Sequence, residues 1–223
     1  MLEVTGIEKR YRRRTILKGI SFQAAAGECI GIVGGNGCGK TTLLSILAGI
    51  RRPERGSIRI DGQEALGRHR LLEEKIAYVP QENPLIPELT ALDNYRLWFR
   101  GKRREMEADL ECGVGRALGV DRFLKTQAGR LSGGEKKRLS IAAALSGRAD
   151  ILILDEPGAA LDLEAKEQIL TYIRSYVEAG GTVLLTSHEM GEIEACTGLY
   201  LLKDGVMTRM ETGLSAEELV RRF

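Results

Sequence analysis

The chain has 223 residues, 43% of them hydrophobic, which suits one large domain, with or without a small subdomain, around a sizeable core. Its 33 basic and 31 acidic residues nearly cancel, and this balance argues against a dedicated nucleic-acid binder. No apolar run approaches the roughly 18 residues of a membrane-spanning helix, and the N-terminus lacks the apolar stretch of a signal peptide, so the chain is expected to be soluble by itself.

The four cysteines show no CxxC spacing of the kind that binds zinc. A zinc site or a disulfide framework is therefore not expected, and a reducing cytoplasm is the natural compartment. The cysteines are Cys29, Cys38, Cys112 and Cys196.

Most of the sequence alternates short apolar strands with helical patterns, which predicts an α/β fold with a mainly parallel sheet. The first sixty residues differ because their strands are closely spaced, as in a partly antiparallel sheet. The predicted strands are Leu2–Ile7, Ile16–Gln23, Glu28–Val33, Ser57–Asp61, Lys75–Val79, Ile151–Leu154, Thr182–Leu185 and Gly198–Leu202. From about Ile86 to Gly147 no strand is predicted, and this segment is interpreted as a helical subdomain with helices at Thr90–Arg100 and Arg104–Leu118.

A glycine cluster separates the third predicted strand from a helix that begins at Lys40. It fits the pattern G-x-x-x-x-G-K-[ST], in which bare backbone N–H groups wrap a polyphosphate. The positive end of the helix points at the same anion, Lys40 supplies a charge for the β- and γ-phosphates, and Thr41 is a magnesium ligand. The alternative is a glycine-rich turn that is followed by Lys-Thr by chance. The strand, the glycines and the helix nevertheless come in the order that a phosphate-binding loop requires. The predicted nucleotide contacts here are Gly34, Gly35, Asn36, Gly37, Cys38, Gly39, Lys40, Thr41 and Thr42.

The segment ILILDEP, Ile151 to Pro157, narrows the choice among phosphate-loop proteins. Its apolar residues form a buried strand, and Asp155 emerges at the carboxyl end, where α/β sheets place ligands. A carboxylate there can hold Mg²⁺ through water, and Glu156 can polarise an attacking water as a general base. Taken alone, a chance acidic pair at a strand end explains the segment equally well.

The segment LSGGE, Leu131 to Glu135, predicts a second anion-binding helix N-terminus. Ser132 and two glycines open a helix over Glu135–Leu145. One ATP needs only one such cradle, so two cradles in a chain indicate that two chains meet and share nucleotide.

With these motifs the sequence resembles the ATP-binding cassette (ABC) ATPase family over nearly its whole length. Three single residues agree with that family in order and spacing. Tyr11 lies 29 residues before Lys40, where the family stacks an aromatic ring on adenine. Gln81 in YVPQEN stands where the family's glutamine senses magnesium, and His188 in LLTSHEM stands where its histidine contacts the γ-phosphate. Taken singly, each has a plainer interpretation, as an edge-strand tyrosine, a loop amide or a surface histidine.

The resemblance implies a P-loop NTPase core with a mainly parallel sheet, an N-terminal antiparallel β subdomain and an inserted α-helical subdomain. Residues 1–82 and 148–223 are assigned to the core with its β subdomain, and residues 83–147 to the helical subdomain. Two chains are implied to close head to tail around two ATP molecules. Each site then combines Lys40 and Glu156 of one chain with Ser132 and Gly134 of the other, and closure is the power stroke that hydrolysis resets.

The same resemblance assigns a role to each candidate residue. Lys40, Glu156 and His188 are the catalytic candidates. The magnesium candidates are Thr41, Gln81 and Asp155. Outside the phosphate loop, the candidates for contact with ATP are Tyr11, Ser132, Gly133, Gly134 and Glu135.

Several positions depart from the family's usual pattern. Gly35 stands where proline is common, and Cys38 stands where alanine or serine is common. Glu135 replaces the usual glutamine and puts an extra carboxylate near nucleotide. Ala159 lacks the hydroxyl of the family's serine, which leaves the contact of that loop across the dimer open.

Three functions compete at this stage. The favoured one is the motor subunit of a membrane transporter, with membrane-spanning subunits on separate chains and a compact form resembling bacterial exporters. The alternative is a soluble ABC ATPase in nucleic-acid maintenance or iron–sulfur assembly, but Lys40 and Ser132 are only 92 residues apart, which leaves no room for the coiled coil of DNA-repair relatives. A P-loop kinase does not account for LSGGE or Glu156.

The favoured function implies partners and a location. ATP and Mg²⁺ are the expected cofactors, and the expected partners are a second ABC ATPase chain, identical or different, and the membrane-spanning subunits, without direct contact to nucleic acid. The chain is then peripheral on the cytoplasmic face of the cell membrane. In the family a groove receives a short helix of the membrane subunit, and here Leu85, Ile86 and Trp98 are candidates for its apolar surface. The alternative is that these three residues belong to the core with Leu92, Tyr95 and Phe99.

Overall fold

The computed structural model describes residues 1–99 and 101–222, and within them ten strands form two sheets. The strands are β1 (Leu2–Tyr11), β2 (Arg14–Ala24), β3 (Cys29–Val33), β4 (Arg55–Ile60), β5 (Gln63–Glu64), β6 (Ile76–Val79), β7 (Ile151–Asp155), β8 (Thr182–Thr186), β9 (Gly198–Lys203) and β10 (Val206–Met210). An antiparallel sheet has the order β2-β1-β4-β5. A second sheet has the order β10-β9-β3-β8-β7-β6 and is parallel except for the β9–β10 pair. The predicted α/β fold, with a mainly parallel sheet and an antiparallel N-terminal sheet, is confirmed.

Nine helices accompany these strands in the described part of the chain. They are α1 (Lys40–Leu47), α2 (His69–Lys75), α3 (Ala91–Trp98), α4 (Arg103–Cys112), α5 (Val114–Ala117), α6 (Gly133–Leu145), α7 (Leu163–Glu178), α8 (Met190–Glu194) and α9 (Ala216–Arg222). Short 3₁₀ turns lie at Val120–Arg122 and Ala128–Arg130. None of the described helices combines the length and the apolarity needed to span a bilayer.

The parallel sheet separates two parts of the core. Every residue of β3, β7 and β8 is buried, as expected for strands covered on both faces. Successive side chains of a strand point to opposite faces, so Ile151 and Ile153 pack toward α1 and the antiparallel sheet, whereas Leu152 and Leu154 pack toward the helical segment. This burial holds the carboxyl ends of the three strands side by side at one edge of the sheet.

The segment between β6 and β7 is helical, as predicted, but the prediction of one continuous helix over Arg104–Leu118 was wrong. The helix expected over Arg104–Leu118 is broken at Gly113, which has φ −102° and ψ −149° and separates α4 from α5. The carboxylate of Asp109 accepts hydrogen bonds from the N–H groups of Val114 (3.1 Å) and Gly115 (2.9 Å), so a side chain replaces the continuing helical bonds. Helical periodicity alone does not reveal this competition.

Other differences concern element ends and short elements. The helix expected over Thr90–Arg100 is α3, which Thr90 caps by accepting from the N–H of Asp93, and Arg100 lies outside the described residues. Lys75, expected in a strand, ends α2 instead. The strands β5 and β10 were not predicted, because β5 has only two residues and β10 is an edge strand with mostly exposed side chains.

Candidate active site

Three loops meet where β3, β7 and β8 end, and they bring the predicted catalytic residues together. Lys40 Nζ donates to the carbonyl oxygen of Gly34 at 2.8 Å and lies 3.1 Å from His188 Nε2. Glu156 Oε1 lies 3.9 Å from Lys40 Nζ and 3.5 Å from His188 Nε2. Since these residues are up to 148 positions apart in the chain, the parallel sheet is what assembles them.

Two glycines of the phosphate loop are required by close approach as well as by backbone conformation. Gly34 has φ 153°, and a Cβ atom there would lie 2.2 Å from the carbonyl oxygen of Leu202. Gly39 has φ 116°, and its Cβ would lie 2.8 Å from Ile16 Cγ2. At Gly35, where the family commonly has proline, a Cβ would meet nothing within 4 Å. The loop therefore tolerates a side chain at Gly35 on spatial grounds, but not at Gly34 or Gly39.

A cavity of about 470 Å³ opens beside the phosphate loop. Its walls contain the predicted adenine contact Tyr11, the predicted magnesium ligands Thr41 and Gln81, and the predicted base Glu156. The remaining lining residues are Ile16, Asn36, Gly37, Gly39, Lys40 and Thr42. The described residues Ser132 to Glu135 are not part of this lining, so the LSGGE segment of a single chain does not contribute to its own cavity.

The two acidic residues after β7 have different surroundings. Asp155 is 1% exposed, and its Oδ1 accepts a hydrogen bond from Thr186 Oγ1 at 2.6 Å. Its Oδ2 is buried and has no hydrogen-bond partner among the described residues. A buried carboxylate oxygen without a partner suits a cation or the water shell of one, so Asp155 fits Mg²⁺. Thr41, another predicted magnesium ligand, lines the cavity beside the phosphate loop.

Glu156 is held by its backbone and by a glutamine. Its φ of 47° is unusual for a residue other than glycine, and its N–H donates to the carbonyl oxygen (3.1 Å) and Oγ1 (3.0 Å) of Thr186. Gln81 Nε2 donates to Glu156 Oε2 at 2.9 Å. Thr186 therefore contacts both acidic residues, and the sequence analysis missed it. The available signal was a hydroxyl at the last position of a buried strand, two residues before His188.

The LSGGE segment caps α6 with its own side chains. Ser132 Oγ accepts from the N–H of Glu135 at 3.2 Å, and Glu135 Oε2 accepts from the N–H of Ser132 at 2.8 Å. The carboxylate that departs from the family's glutamine thus bonds to the start of its own helix. Gly134 is buried, and a Cβ there would lie 2.4 Å from Ala165 Cβ, so glycine lets α6 approach α7 closely.

Tyr11, the last residue of β1, is 38% exposed, and two cationic side chains contact it. Arg51 Nη1 donates to the Tyr11 hydroxyl at 2.7 Å, and the Arg51 guanidinium carbon lies 5.7 Å from the ring centre. Lys9 Nζ lies 5.4 Å from the same centre. Arg51 was not anticipated, since it lies 40 positions from Tyr11 in the chain.

Replacing Arg51 with alanine is expected to weaken ATP binding about 3- to 10-fold, because the exposed ring loses a hydrogen bond and a cation–π contact worth about 1 kcal/mol together. Titration with a fluorescent ATP analogue measures this effect. The neighbouring Arg52→Ala, whose exposed side chain has no such contact with Tyr11, is the matched control. Equal affinities for R51A and R52A would show that Arg51 does not orient the ring.

The profile of the ABC transporter family matches residues 17–159, which is more than half of the chain. The chain belongs to the ABC transporter family. The relationship predicted from the motifs is confirmed, and with it the assignment as an ATPase.

Curated relatives of this ABC ATPase include transporter ATP-binding proteins. It is 34% identical over 207 residues to the Nod factor export ATP-binding protein I of Burkholderia orbicola (strain AU 1054), covering 92% of this chain and 68% of that protein. It is 34% identical over 219 residues to the linearmycin resistance ATP-binding protein LnrL of Bacillus subtilis (strain 168), covering 95% and 69%. The chain therefore spans about two thirds of the length of these relatives. Their names do not favour the soluble alternative or a kinase.

Solved ABC cassettes share the fold. The dimeric structure of MJ0796, described as a bacterial ABC transporter cassette, superposes with a TM-score of 0.85 at 30% identity, over 96% of this chain and 100% of that chain. A dimeric post-hydrolysis state of the same cassette, bound to ADP and Pi, gives a TM-score of 0.84 at 29% identity, with the same coverage of both chains. The P-loop NTPase architecture predicted for this ABC ATPase is thereby confirmed.

Proposed function

We propose that this ABC ATPase hydrolyses ATP to drive export by separate membrane-spanning subunits. The observation that carries the proposal is the convergence of Lys40, Gln81 and Glu156 on one cavity beside the phosphate loop, with His188 lying next to Lys40 and Glu156. The names of the two relatives, one for Nod factor export and one for linearmycin resistance, support the direction of transport. The proposal keeps residues 1–82 and 148–223 as the nucleotide-binding core and residues 83–147 as the helical subdomain.

The arrangement of the site supports a separate chemical role for each of these residues within one chain. Lys40 neutralises the β- and γ-phosphates, and Tyr11 stacks on adenine. Thr41, Asp155 and Gln81 would hold Mg²⁺, which supplies further positive charge to the phosphates when bound. Glu156 accepts a proton from the attacking water while the hydrogen bond from Gln81 holds its carboxylate in place. His188, which lies 3.1 Å from Lys40 Nζ, would contact the γ-phosphate.

The site is proposed to be completed by a second chain. Ser132, Gly133 and Gly134 would contact the ATP held by the phosphate loop of the partner, since they do not line this chain's own cavity. The dimers formed by the MJ0796 cassette support this arrangement. Without ATP the proposed interface lacks its central contacts, so the isolated chain is expected to be mostly monomeric.

A second cavity, of about 440 Å³, is the proposed docking groove for a short helix of the membrane-spanning partner. Its walls are mainly apolar and include Ile50, Leu72, Tyr78, Leu85 and Trp98. Ile50 is 65% exposed and Trp98 is 51% exposed, so large apolar surface faces solvent at its rim. Attachment through this groove would hold the chain at the cytoplasmic face of the membrane.

The groove differs in part from the surface patch expected from sequence. Ile86 and Trp98 are exposed, as expected, whereas Leu85 is partly buried against the helical core. The exposed Leu97 was not anticipated. The other three apolar residues of this segment pack inward, as expected. Tyr95 is fully buried, and Leu92 and Phe99 are partly buried against the same core.

Replacing Ile50 with glutamate is expected to reduce co-purification with the co-expressed membrane-spanning subunits at least about tenfold, because a charge would be buried without a partner. ATP binding by the isolated chain should persist. Val206→Glu, at a 51% exposed residue outside the groove, is the matched control. Trp98, the only tryptophan, gives a second readout, since its fluorescence should shift when the subunits bind. Normal co-purification of I50E with an unchanged Trp98 signal would refute this docking site.

A further inference from the structure

A buried lysine connects the LSGGE helix to the loop that carries Gln81. Lys137 lies on α6, two positions after Glu135, and is 2% exposed. Its Nζ donates to the carbonyl oxygens of Pro80 (3.0 Å) and Gln81 (2.9 Å). The ammonium group thus bonds to two successive carbonyl groups of the Gln81 loop, from a helix that lies more than fifty residues further along the chain.

The next contacts lead to the reacting end of the site. Gln81, whose backbone is held by Lys137, donates through Nε2 to Glu156 Oε2 at 2.9 Å. Glu156 in turn lies beside Lys40 and His188. The contacts therefore form one continuous path inside a single chain, from α6 through the Gln81 loop to the proposed base.

The environment of Lys137 makes a purely stabilising role a poor explanation. Burial lowers the pKa of its ammonium group to about 8, although the carboxylates of Asp155 and Glu192 act in the opposite direction. An apolar side chain of similar length would fill the same space without this desolvation cost. What an apolar side chain would not supply is the pair of hydrogen bonds to the Gln81 loop.

We propose that Lys137 is a positioning residue, which holds the Gln81 loop so that the Gln81 amide contacts Glu156 of the same chain. The inference rests on the proposed shared site. In that arrangement Lys137 belongs to the helix whose N-terminus serves one ATP, while the residues that it positions serve the other ATP. Its effect on hydrolysis then falls on the site that contains its own Glu156.

The first test replaces Lys137 with methionine, which keeps length and removes the donors. The kcat for ATP is expected to fall about 10- to 100-fold while KM changes less than about threefold, because the change disturbs the base, whereas the phosphate loop and Tyr11, which would bind most of the nucleotide, are unchanged. Adding Q81A to K137M should cost little more than either change alone, since both break the same path. The partly buried neighbour provides the control Lys136→Met, which should behave like wild type. If K137M does not fold, K137L, which also lacks a donor, replaces it in the same series.

The second test distinguishes positioning of Glu156 from simple support of α6. In a mixture of K40A and S132R chains, the mixed dimer keeps one complete site, built from the phosphate loop and Glu156 of the S132R chain and the LSGGE segment of the K40A chain. K137M placed on the S132R chain should lower the restored rate of hydrolysis about 10- to 100-fold. K137M placed on the K40A chain should leave it within about twofold.

Two outcomes would overturn the positioning role. One is wild-type turnover by K137M, and the other is an equal loss whichever chain of the mixture carries the change, which would mean that Lys137 acts through the start of α6. These outcomes differ from a failure of the proposed function. If the shared-site arrangement itself is wrong, the mixture of K40A and S132R restores no activity before any change at Lys137.

Discussion

Glu156→Gln is expected to cut ATP hydrolysis about 10²–10⁴-fold while leaving ATP binding intact. Glutamine keeps the shape of the side chain but removes its ability to accept the proton of the attacking water. The surrounding contacts support this role, because Glu156 faces the cavity beside Lys40 and His188 and receives a hydrogen bond from Gln81. With hydrolysis blocked, the ATP-bound dimer should accumulate, since closure no longer leads to release.

Two measurements check this expectation. Steady-state phosphate release gives the rate, and size-exclusion chromatography with light scattering gives the dimer fraction in Mg-ATP. Glu82→Gln is the matched control, because Glu82 is an exposed carboxylate on the neighbouring loop and does not line the cavity. If E156Q turns over at nearly the wild-type rate, another group is the base and the assignment of Glu156 is wrong.

Mixing K40A with S132R chains is expected to restore activity that neither variant has alone. K40A removes the charge on the phosphates, and S132R places a bulky cation in the LSGGE segment that the partner's ATP would contact. Head-to-tail pairing leaves one composite site with both residues intact. At equal amounts the restored rate should be at most about a quarter of wild type, because half of the dimers are mixed and each keeps one of two sites.

The mixture is measured by ATP turnover at constant total protein while the ratio of the two chains is varied. The rate should peak near equal amounts and vanish at either end. Each variant alone, checked for folding by circular dichroism, is the control. A flat, inactive profile with both chains folded would contradict the shared site and leave each chain to work alone.

The phosphate loop and the Asp155–Glu156 pair could be predicted because their chemistry needs contiguous residues. Gly34 and Gly39 must be glycine where the backbone turns and the chain approaches closely, and Lys40 must follow at once to begin the helix. The apolar run of β7 fixed the position of Asp155 at the end of a buried strand. Such features are local, so their spacing in the sequence carries their geometry.

The helix break at Gly113 and the edge strand β10 could not be predicted in the same way. The break at Gly113 depends on the Asp109 carboxylate reaching N–H groups that a continuous helix would have used. Edge strand β10 lacks a continuous apolar run because most of its side chains face solvent. Periodicity therefore reveals neither the hydrogen bonds that break the helix at Gly113 nor an edge strand whose side chains are mostly exposed.

The sequence by itself determined which residues can carry ATP chemistry and in which order the strands and helices would present them. Tertiary structure decided which of these residues meet: Lys40 with His188, Gln81 with Glu156 and, unforeseen, Thr186 with Asp155. It also decided that the LSGGE segment stays outside the cavity of its own chain. The physical reason is that hydrogen bonds across 31 to 148 positions of the chain form only after the parallel sheet has brought its loops to one edge, and no local pattern records that pairing.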